Sequence, residues 1–69
     1  MPVTMLNAGE ERCIKKIGGK AETKQFLENL GFTVGRMIKV VSMAGGNVIV
    51  QVRETRVAIS REMANRILV

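Results

Sequence analysis

The chain has 69 residues, 46% of them apolar, and eleven lysines and arginines against six glutamates, a formal charge of +5. That length gives one domain, residues 1–69, with no room for a deep cleft between lobes, and the apolar content argues against a disordered chain. A field of that sign suits nucleic acid, anionic lipid or an acidic protein surface, or simply a solvated exterior.

The segment from Leu6 to Gly9 leads into a first strand over about residues 10–17. Ile14 and Ile17 lie an odd number of residues apart, so strict alternation cannot bury both on one face. A bulge or two-sided burial near Lys15–Lys16 would reconcile them. Gly18–Gly19 ends the strand. From Ala21 to Leu30 the pattern changes period, and Phe26, Leu27 and Leu30 form the apolar stripe of a short amphipathic helix with Glu22 near its start. Gly31 falls where such a helix needs a left-handed residue after its end. Phe32 then occupies the position that packs back on the last turn, near Leu27, and Gly35 allows a second turn.

A second strand is expected over 36–43, apolar on both faces through Met37, Ile38, Val40, Val41 and Met43. Residues 44–47 form a loop, and Val48, Val50 and Val52 alternate on a third strand. Residues 53–56 make a tight connection without the Asn-Gly or Asp-Gly that a type I′ hairpin prefers. Val57 and Ile59 share one face of a fourth strand. Ser60 caps a helical turn over about 61–66, and Ile67 to Val69 add a last short strand. Met63, Ala64 and Ile67 read as core-facing. The fold class is therefore mainly β: a small antiparallel barrel with one short helix between the first two strands and a helical turn before the C-terminal strand.

Catalytic chemistry is thinly supplied. There is no histidine, aspartate, tryptophan or tyrosine, so no histidine base, Ser-His-Asp triad or Cys-His pair can be built. The segment IKKIGGKAE fails as a phosphate-binding loop, because Ile14 stands where the first glycine belongs and Ala21 where a serine or threonine belongs. One cysteine and no histidine offer no zinc or soft-metal ligand set, and they exclude an internal disulfide. Cys13 reads as a small apolar strand residue, and Met37, Met43 and Met63 as packing residues. No enzyme activity, cofactor or metal is expected. No apolar run approaches the length of about eighteen residues that spans a bilayer, and the first residues do not form a signal segment, which together suggest a cytosolic protein.

One order of features resembles a known family. It runs from Leu6, Gly9 and Glu10 through a strand to Gly18–Gly19 and a short helix. The corner Leu27, Leu30, Gly31, Phe32, Gly35 follows, and the end is VAISREMANRILV with Ala64, Ile67 and Val69. This is similar to FeoA, the ferrous iron transport protein A family of bacteria, over almost the whole chain. Glu54–Thr55 stands where the family commonly has a glycine, which affects the expected local turn.

The resemblance implies an SH3-like barrel and a role in ferrous iron uptake as a partner of FeoB, the membrane transporter with a cytosolic GTP-binding region. It suggests docking on that region and regulation of the transporter's assembly or its GTPase and transport cycle. The docking surface is expected either at a basic patch of Arg36, Lys39, Arg53 and Arg56, chosen from strand ends and turns, or at the apolar helix region around Phe26. The alternative is a basic SH3-like module for nucleic acid, drawn by charge. With Phe26 and Phe32 both assigned to packing, no stacking platform is foreseen, so no specific nucleic acid is expected. Self-association through strand edges is a further possibility.

Overall fold

The computed structural model describes residues 1–69. A single 3-10 turn, Val3–Met5, precedes β1 (Glu11–Cys13), β2 (Lys16–Ile17), α1 (Ala21–Asn29), β3 (Met37–Ala44), β4 (Asn47–Val52), β5 (Thr55–Ser60), α2 (Arg61–Ala64) and β6 (Ile67–Leu68). Four strands form an antiparallel sheet in the order β1-β3-β4-β5, and β2 pairs with β6 in a second, two-stranded sheet. The mainly β architecture and the positions of both helices match the expectation from sequence.

The expected first strand is divided between the two sheets. The Ile14 N–H donates to the Arg36 carbonyl at 2.8 Å, and the next N–H, that of Lys15, donates to the Leu68 carbonyl at 2.8 Å. The chain thus changes partner between two consecutive residues. Ile14 and Ile17 are both buried for that reason, without a bulge between them. The bulge lies in β3, where Val41 has no partner between the pairs Val40–Val50 and Ser42–Ile49. It bends the long strand and increases its twist, so one hairpin curves over the core.

The corner after α1 forms as its residues require. The Gly31 N–H donates to the Glu28 carbonyl at 2.9 Å and the Phe32 N–H to the Leu27 carbonyl at 3.0 Å, the paired bonds of a Schellman cap. Gly31 has φ +103°, a conformation side chains rarely adopt. Phe32 and Leu27 are fully buried, with Ile14, Ile38, Ile67 and the β4 valines Val48 and Val50 beside them in one core. At the other end the Ser60 hydroxyl accepts a hydrogen bond from the Met63 N–H at 3.2 Å and caps α2 as expected.

Several sequence expectations are corrected. Phe26 projects from α1 and is 49% exposed, because its place on the helix is one step round from the buried Leu27. Met37 is exposed on the face of β3 opposite Ile38 and Val40; Met43, beyond the bulge, pairs with Val48 and so shares the inner face, yet it too is exposed, while Met63 is only half-buried. Cys13 is exposed as well. Val3, which carried no periodic signal, is a fully buried core residue held by the 3-10 turn.

Candidate functional site

The solvent face of the four-stranded sheet follows from register. Inward Ile38, Val50 and Val52 put Lys39 and Gln51 outward, and the pairs Glu11–Lys39, Lys39–Gln51 and Gln51–Arg56 align four polar side chains in one row across the sheet. Gln51 organises it: its Nε2 donates to the Arg53 carbonyl at 3.2 Å, and its Oε1 accepts from Arg56 Nε at 3.3 Å. Below the row, Arg36 is fixed by donation from its Nε to Thr33 Oγ1 at 3.2 Å.

Arg36, Lys39 and Arg53 line a common hollow of ≈ 210 Å³ with Glu11, Met37 and Gln51. None of these cations is paired with a carboxylate, since the sole ion pair in the chain joins Arg12 and Glu10 at 3.6 Å. The hollow is an electropositive concavity able to receive an anionic group.

Arg53 itself is unusual. Val52 pairs with Thr55, so Arg53 and Glu54 form a two-residue hairpin turn, and Arg53 takes φ +56° there. A non-glycine residue in the left-handed region is uncommon and costs about 1–2 kcal/mol. The turn holds the arginine backbone at the rim of the hollow despite that cost.

A second concavity lies between the helices and the edge of the sheet. Phe26 and Leu30 of the α1 end, Val57, Ala58 and Ile59 of β5, and Met63 of α2 line an apolar groove of ≈ 360 Å³ with Ser60. A third concavity of ≈ 270 Å³ lies between the two regions: it shares Leu30 with the groove and Arg36 and Arg53 with the hollow. The three adjoining concavities form a depression that runs from apolar to basic along β5 and round the β4–β5 turn.

All five residues singled out from sequence lie on or beside this depression. Arg36, Lys39 and Arg53 share the basic hollow, Arg56 adjoins it through Gln51, and Phe26 lies at the apolar end. The basic patch and Phe26 line neighbouring concavities that meet through shared walls at Leu30, Arg36 and Arg53. Sequence reasoning missed Gln51, whose place between two buried valines marks it as outward but not as the centre of a network. It also missed the β5 edge and Leu30 as groove walls, because strand order is not written in a local pattern.

A curved antiparallel sheet closed by a short C-terminal strand, with a helix in the long excursion before its second half, is an SH3-like barrel. The FeoA domain family matches residues 1–69, and the chain belongs to that family, which serves ferrous iron transport. A Methanocaldococcus jannaschii protein designated Fe(2+) transport protein A is 32% identical over 68 residues, covering 99% of this chain and 83% of its own. Among solved structures, an iron uptake regulatory protein (FeoA) superposes with a TM-score of 0.87 at 29% identity over 96% of this chain and 88% of its own. A Stenotrophomonas maltophilia FeoA crystallised with zinc, described as an SH3 domain protein, gives 0.86 at 23% identity over 99% and 87%. A manganese-dependent transcriptional repressor contains the same fold in 39% of its length, with a TM-score of 0.88 at 13% identity.

Proposed function

We propose that this chain is an accessory protein of ferrous iron uptake that docks on the cytosolic region of an FeoB-type membrane transporter and regulates its assembly or its GTPase and transport cycle. The observation that carries the reading is the apolar groove with Phe26 half-exposed at its wall, beside cations that have no carboxylate partner within the chain. Burying the half of Phe26 that is still exposed contributes about 1 kcal/mol towards anchoring an interface, and a positive rim adds orientation and speeds encounter. The S. maltophilia relative has been put forward as an activating factor of ferrous iron transport, which agrees with an accessory role.

The test is a binding titration against detergent-solubilised FeoB from the same source, in each nucleotide state, at low and high salt. Saturable binding that persists at high salt and falls when Phe26 is replaced by alanine is the expected result. Absence of binding in every nucleotide state overturns the proposal. Binding to any oligonucleotide that is tight and steeply salt-dependent would favour the nucleic-acid alternative instead.

A further inference from the structure

The open edge of β5 has a chemistry of its own. The Arg61 N–H donates to the Gly46 carbonyl at 3.0 Å, which sets the parity of the ladder: Thr55, Val57 and Ile59 exchange bonds with β4, and Arg56 and Ala58 turn their N–H and C=O groups outward. No hydrogen bond from a loop, turn or cap reaches the β5 main chain. These free groups border the apolar groove at Ala58 and approach the cations at the hairpin end. Edge strands of this kind are usually blunted by charge, proline or a covering segment. Here Ala58 is small and lies beside Phe26, Leu30 and Met63.

We infer that this depression takes an extended peptide segment that adds to β5 as an antiparallel strand, apolar along its first half and acidic at its C-terminal end. The inference rests on the docking role proposed above and names the chemistry of the partner's segment. Main-chain bonds to Arg56 and Ala58 supply affinity, alternate side chains enter the groove, and carboxylates reach Arg53 and Arg36. Every strand pair in the molecule is antiparallel, and that direction brings the segment's C-terminal end to the basic hairpin. Charge complementarity thus fixes the order of apolar and acidic residues.

The probe is the blocked peptide SVTVTVSEE, titrated by calorimetry against the full chain at low salt. It is expected to bind about tenfold more tightly than the reordered EESVTVTVS. Exchanging both glutamates for glutamine should weaken it about fivefold, the scale of two exposed charge pairs, and should make no difference against the Arg36→Gln, Arg53→Gly double variant. Ala58→Pro, tolerated where an edge N–H faces solvent, should abolish binding. Peptides N-methylated on alternate residues test pairing without altering the protein, and only one of the two phases should fail to bind. Equal affinity for both orders, indifference to N-methylation in either phase, or a stable dimer by sedimentation that leaves the edge occupied would each overturn the inference. The peptide result does not involve the transporter. Peptide binding without transporter binding removes the docking role and keeps the segment chemistry, and the reverse outcome removes the segment chemistry alone.

Discussion

Phe26 and Phe32 stand six residues apart and have opposite fates. Phe32 closes a helix cap, is fully buried and touches the core from which every strand hangs. Phe26 lies on the same helix, half-exposed above a groove that also shows Leu30 and Met63. The region around Phe32 meets every requirement of a stable corner, with a left-handed glycine, a capped helix end and an aromatic plug. The region from Phe26 to Arg53 does not, for it leaves apolar surface in water and holds an arginine at φ +56°. Apolar side chains are exposed elsewhere too, Met5 and Val34 among them, but only here do they adjoin a turn with a left-handed arginine, a local departure of the kind that functional surfaces carry. The two hairpins repeat the contrast. The β3–β4 turn is Gly45–Gly46, whereas the β4–β5 turn places Arg53 where glycine would fit better.

The comparison breaks first at Phe32. Phe32→Ala should cost about 3–5 kcal/mol, a large share of the ~5–15 kcal/mol available to a domain, and urea unfolding followed by circular dichroism should show the chain unfolded or nearly so. A small change would mean that the corner is not the keystone. Gly31→Ala comes next, at about 1–2 kcal/mol. A Cβ there meets only Val52 Cγ1 at 3.9 Å, so the cost is one of backbone conformation, not of space. Its urea midpoint should fall with an unchanged slope. Ser60→Ala removes the α2 cap and should cost about 1 kcal/mol, while Ser60→Gly costs only a few tenths, a difference that thermal melts can resolve.

On the other side of the comparison the expected signs change. Arg53→Gly relieves the turn and should stabilise the chain by about 0.5–1 kcal/mol even as it removes a cation from the hollow. A stabilised variant with weaker affinity for the transporter would sharpen the contrast, and a destabilised one would show that Arg53 serves the fold. Phe26→Ala should cost no more than about 1–1.5 kcal/mol of stability, because only half of the ring is buried. The same variant should lose measurable affinity in the transporter titration, and a stability loss comparable to that of Phe32→Ala would erase the distinction between the two rings.

Much of this was legible in local chemistry. Gly31 and Phe32, the alternation of Val48, Val50 and Val52, and the Ser60 cap each belong to interactions that close within a few residues, so the helix, the corner, the third strand and the final turn follow from spacing alone. The order of glycines and apolar residues along the chain likewise carries the family and with it the barrel. The tertiary structure decided what depends on partners distant in sequence. Ile14 and Ile17 are both buried because Arg36 and Leu68 claim consecutive amides, a fact no pattern over 10–17 contains. Phe26, Met37 and Cys13 look apolar enough for a core, yet the single layer of barrel interior is filled by other side chains, which leaves them in water. Strand order, not composition, leaves β5 at an open edge and lays Arg36, Lys39 and Arg53 along the continuation of its groove, because pairing is fixed only when the whole sheet closes on one core.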